Sequence, residues 1–133
     1  MATPRGIRNN NPLNIRRNST KWKGLATEQR DRDFFCFVSP EWGYRAALIT
    51  LRNYRKLHNL QTITQWIARW APPAENNTDA YINFVCRKCG INKETIPDIN
   101  DSKQMCEIVA AMSYLENGID AVKQHIDKGW KLM

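Results

Sequence analysis

The chain has 133 residues, 42% apolar and 25% charged, with a net charge of +7. That length holds one compact domain with a single core, residues 1–133, and is too short for two. The composition is ordinary for a soluble globular protein, and no apolar run approaches the ~20 residues that cross a bilayer.

Residues 1–70 carry 13 basic and 4 acidic side chains, and residues 71–133 carry 7 and 9. A basic half attracts polyanions: nucleic acid, or the peptide carboxylates and teichoic phosphates of a bacterial wall. The plain alternative is a solvated, solubilising face. No recognised nucleic-acid motif accompanies the charge. Residues 1–5 are not followed by an apolar stretch, so the expectation is synthesis in the cytoplasm without a Sec signal. Action at the cell wall would then require delivery by a virion or by lysis.

In chain order, residues 9–39 come first. Asn9, Asn10, Asn11 and Pro12 cluster where a backbone turns. Leu13 and Ile15 alternate with polar residues, and residues 34–38 form a short aromatic and β-branched run. This pattern predicts a small sheet over residues 13–38, with no helix before it.

Ser39, Pro40 and Glu41 then predict a helix start by cap, first-turn proline and dipole. Its buried stripe is Tyr44, Ala47, Leu48, Leu51, Tyr54 and Leu57. Thr62 and Gln65 fit a capping box opening a short helix, which Pro72 and Pro73 end. Residues 75–78 cap a third helix, roughly 79–89, stopped at Gly90. Asp101 caps a fourth, whose inner face is Met105, Ile108, Val109, Met112 and Leu115. It reaches Glu116 and stops at Asn117 and Gly118. A last segment turns Val122 and Ile126 inward. The fold expected is therefore α+β and mainly helical, a small N-terminal hairpin or sheet packed on a helical bundle. Phe34 or Phe35, Phe37, Leu48, Leu51, Trp66, Ile82, Val109 and Met112 should be core.

Cys86 and Cys89 share a helix face, but Cys36, Cys106, His58 and His125 stand alone. Structural zinc needs two such ligand pairs, so the expectation is reduced thiols, no metal, no disulfide and no cofactor.

Several motifs together resemble known proteins. Asn10, Asn11, Leu13, Asn14, Ile15 and Arg16, then Trp22 and Gly24, then Phe34, Phe37 and Ser39, resemble the hairpin of bacterial glucosaminidases with a lysozyme-like fold. Asn14 stands where that pattern has Gly, which suits a position needing φ > 0. The whole chain is similar to a family of phage-associated structural proteins, through Gly6 to Pro12, residues 70–73, Glu75 with Asn76, and Glu116 to Gly118. The resemblance implies a lysozyme-like domain acting on peptidoglycan glycan strands, as a glycosidase or lytic transglycosylase. The other reading is a non-catalytic wall-glycan binder or a structural protein of a virion or conjugation machine. Either would be a monomer without a membrane span.

Glycoside cleavage needs a carboxyl that donates its proton to the leaving oxygen, best half-buried against apolar groups. The lysozyme-like fold carries it at a helix end before the hairpin, where this chain has no helix. A permuted order would let the late helix supply it, which makes Glu116 the candidate acid. The plain reading of Glu116 is an exposed helix-end residue. Glu41, Glu28, Asp31 and Asp33 are the alternatives, the last three also as a second carboxylate. Asn11, Asn14, Trp22 and Tyr81 are the candidate sugar-binding residues, although Trp22 and Tyr81 equally suit a core.

Overall fold

Six helices carry the chain in the computed structural model, which describes residues 2–133. They are α1 (Arg5–Arg8), α2 (Pro40–His58), α3 (Ile63–Trp70), α4 (Thr78–Cys89), α5 (Ser102–Asn117) and α6 (Lys123–Lys131). Short side chains open three of them. Thr62 and Gln65 form the reciprocal capping box of α3, Asn77 accepts from the Ala80 amide at α4, and Asp101 accepts from the Gln104 amide at α5. Left-handed residues close three: Asn59 after α2, Gly90 after α4 and Gly118 after α5. Ser39 departs from expectation. It is extended before Pro40, but its side chain makes no capping bond.

The core lies among α2 to α6. Leu48, Leu51, Trp66, Ile82, Val85, Ile108, Val109, Met112 and Ile126 are all buried there. Each such side chain removed from water contributes roughly 1.5–3 kcal/mol of burial free energy. α6 lies directly across the start of α2. A Cβ at Gly129 would stand 2.9 Å from the Glu41 carbonyl and 3.0 Å from the Arg45 amide, so only glycine lets the two backbones meet. Leu57, Leu115 and Val122 fall outside the core, at 70%, 37% and 48% exposure. Each lies at or just beyond a helix end, where the apolar stripe outruns the neighbouring helices.

The expected α+β fold with an N-terminal hairpin is not observed. No strand or sheet forms among the described residues, and the architecture is helical. Residues 9–39 contain only two isolated antiparallel bridges, Arg16 with Phe34 and Leu25 with Phe37. The chain does double back there, since Arg17 donates to the Asp33 carbonyl and Phe35 to that of Ile15. Side-chain groups, however, occupy the positions that a ladder would use. Asn11 donates to the Ile15 and Phe35 carbonyls and accepts from the Ile15 amide. Gln29 takes both the amide and the carbonyl of Cys36, and Asn10 takes the Phe37 carbonyl. Backbone groups satisfied by amide side chains need no neighbouring strand. Phe35 and Phe37 are nonetheless buried, in a second small cluster with Ala46. Phe34 is only half-buried. A one-turn helix, α1, also precedes this region, where none was expected.

Candidate functional site

The Asn turn and the end of α5 are joined through the Asn117 side chain. Asn117, the last residue of α5, donates to the Pro12 carbonyl at 2.8 Å and to the Ser113 carbonyl at 2.9 Å. α1 closes against the same point. A Cβ at Gly6 would meet Asn117 Oδ1 at 2.6 Å, and both Asn14 Oδ1 and the Asn11 carbonyl at 2.9 Å. Glycine is therefore required by approach, not by conformation.

This junction presents Glu116. Its Oε1 accepts from Asn14 Nδ2 at 2.9 Å and its Oε2 accepts from the Tyr81 hydroxyl at 3.0 Å. Asn14 can face it because its backbone is left-handed, with φ of +53°, a conformation that Asn tolerates better than most residues. Burial raises the proton affinity of the Glu116 carboxyl, and the hydrogen bonds from Asn14 and Tyr81, with the nearby Trp70 indole, oppose that without cancelling it. Burial also raises the Tyr81 phenol, and the adjacent Glu116 charge raises it further, so Tyr81 stays a donor.

Glu116 opens onto a cleft of about 600 Å³. Leu13, Asn14, Ile15, Arg16, Asn18 and Phe34 form one wall. Residues 69–72 with Glu75 and Asn76 form another, and Thr50 and Tyr54 of α2 contribute as well. The cleft is thus amphipathic, with aromatic and proline faces beside amides, two guanidinium groups and two carboxyls.

The other predicted residues are distributed differently. Asn11 is fully buried with its amide spent on backbone, so it braces the turn and does not reach the cleft. Trp22 packs on the Phe35–Phe37 cluster, away from the cleft lining. Tyr81 is 8% exposed and stands behind Glu116 as its hydrogen-bond donor. Glu28 is exposed on the connection outside the cleft lining. Asp31 is held by the Arg5 guanidinium at 2.5 and 2.6 Å and also accepts from Asn9 and from the Asp33 and Phe34 amides. The Arg5 bond above all holds its carboxyl far below the usual carboxylate range, so Asp31 organises the arm. Asp33 shares Arg5 at 3.2 Å. Glu41 lies in the first turn of α2 beside α6. Its own backbone N–H, the Ser39 hydroxyl and the charges of His125 and Lys128 lower its pKa. None of these four carboxylates lines the cleft.

Sequence reasoning missed Arg69, Tyr54 and Glu75 as cleft residues. Residues 70–73 read as a helix stop and a family motif, and Glu75 as turn chemistry. The four cysteines are free. Among the described residues no three His, Cys, Asp or Glu side chains converge, and no helix is long and apolar enough to cross a membrane.

No family model matches the chain. It is, however, 39% identical over 134 residues to Protein P5 of Pseudoalteromonas phage PM2, an alignment spanning 95% of this chain and 82% of that protein. The chain belongs to the P5 family of phage proteins. P5 membership carries the phage half of the resemblance seen in the sequence. It carries nothing of the lysozyme-like half, and the helical fold without a hairpin argues against that half.

Proposed function

We propose that this P5-family chain is a structural component of a phage particle that engages the glycan strands of the bacterial wall through the cleft at Glu116. One observation carries the reading. A half-buried carboxyl sits in an amphipathic cleft, held by donors from two distant parts of the chain. Aromatic and proline faces suit the apolar faces of sugar rings, and amides suit N-acetyl and hydroxyl groups. The phage relative supports delivery to the wall by a particle or at lysis.

The raised proton affinity of Glu116 favours a second reading, in which the same cleft cleaves the strand with Glu116 as general acid. Glu75 is the other carboxyl on the cleft wall, available as a base toward water. Without such a base, a sugar hydroxyl would have to attack instead.

Turbidity clearing and co-sedimentation with purified peptidoglycan test both readings at once. Binding without clearing supports the structural reading. Clearing that falls by ~100-fold or more in Glu116→Gln, with folding intact, supports the enzyme. Clearing that survives Glu116→Gln removes that residue as the acid. Neither binding nor clearing overturns the wall assignment.

A further inference from the structure

The cleft contains two cations with no anionic partner. Arg16 and Arg69 both line it, and neither forms an ion pair or a hydrogen bond among the described residues. Both are exposed, so a solvated surface arginine is the plain expectation. Each guanidinium instead lies over an aromatic ring that belongs to the same cleft. The Arg16 guanidinium lies 5.2 Å from the Phe34 ring centroid and that of Arg69 lies 5.9 Å from the Tyr54 centroid. Phe34 is held in turn on its other contact by Arg5, which is committed to Asp31. A cation–π contact draws each guanidinium toward its ring and leaves its N–H edges free. A planar fork of this kind can take a planar oxyanion in two parallel bonds. Glu75 lies on the Arg69 wall but forms no ion pair with it.

We propose that Arg16 and Arg69 form a clamp for carboxylate groups carried by the glycan strand, so that the cleft selects an acidic, muramyl-type strand over a neutral one such as chitin. The proposal rests on the wall-glycan reading and names its substrate class. Peptide and lactyl carboxylates are the source committed to, and teichoic phosphate is the competing source of the same chemistry.

The test is co-sedimentation of the full chain with four materials. These are native walls, walls stripped of phosphate by hydrofluoric acid, walls whose carboxylates are amidated with carbodiimide, and chitin. The variants are Arg16→Gln with Arg69→Gln, and, as a charge-matched control, Lys21→Gln with Lys56→Gln on exposed positions outside the cleft. Wild type should bind native and phosphate-stripped walls alike and amidated walls about tenfold more weakly, as for losing a charge-assisted bond. The arginine double variant should match that weaker binding on native walls and be indifferent to amidation. The lysine control should behave as wild type. Equal binding by wild type and the arginine variant overturns the clamp while leaving the wall reading intact. So does an equal loss in the lysine control, or a loss that follows phosphate removal. Wild type binding no wall overturns the wall reading itself and the clamp with it.

Discussion

Tyr81 of α4 donates its hydroxyl to Glu116 of α5 at 3.0 Å, and the remaining Glu116 oxygen is taken by Asn14, 102 residues away in the chain. Two donors therefore meet a carboxyl whose proton affinity burial raises. The balance of these opposed effects sets how readily Glu116 holds a proton.

Tyr81→Phe removes one donor and keeps the ring. The ionised form of Glu116 loses support, so its titration should move further upward. Leaving Oε2 without a partner should cost about 1–2 kcal/mol of stability. Carbon-13 NMR of the side-chain carboxyl reads the first effect and chemical denaturation the second. An unmoved titration would mean that this hydrogen bond is not formed in solution.

Glu116 also ties stability to pH. The folded carboxyl holds its proton more tightly than the unfolded chain does. The stability this gives is complete below the ordinary carboxylate range and is lost as the pH rises through the folded value. Glu116→Gln removes that dependence. The melting temperature of the variant should rise relative to wild type as the pH climbs from the ordinary carboxylate range through the folded value. A constant difference across that window would contradict the assignment.

Asn14 does two separable things: it adopts a left-handed backbone and it binds Glu116. Asn14→Ala should lose both, at about 2 kcal/mol, since φ > 0 is strained for alanine and the bond is gone. Asn14→Gly should lose only the bond, at about 1 kcal/mol, because glycine accepts the conformation. Both should raise the Glu116 titration equally. Identical stabilities for the two variants would show that the turn relaxes once the side chain is removed.

Asp31 has the opposite sign. Arg5 holds its carboxyl below the usual range, so its contribution is present above the unfolded value and lost as the pH falls through the folded one. Asp31→Asn should abolish that acid-side loss. It should also speed hydrogen exchange at the Asp33 and Phe34 amides, which donate to Asp31 Oδ1. Unchanged exchange at both amides would show that the arm is held by other bonds.

Much of the helical layout was legible in the chain because its signals are local. The Thr62–Gln65 capping box, the Asn77 and Asp101 caps, and the Gly90 and Gly118 stops act within one turn of the residues that carry them. The core stripes of Leu48, Leu51, Val109 and Met112 follow from helical period alone. The positive φ of Asn14 was also readable, from a pattern that wants glycine there. The sheet was misread because alternation in residues 13–38 reports which side chains are buried, not what their backbone bonds to. Asn11 and Gln29 side chains took those bonds instead. The cleft was decided only by tertiary structure. Whether Glu116 is solvated or buried depends on Asn14 and Tyr81, which no spacing rule connects to it. Asp31 and Arg69 show the same limit. A carboxylate among hairpin charges and an arginine on a short helix have ordinary local contexts, and only Arg5 and Tyr54, brought in by folding, separate the brace from the cleft wall. Proton affinity and charge pairing depend on distances of a few ångströms between residues far apart in the chain, and packing alone sets those distances.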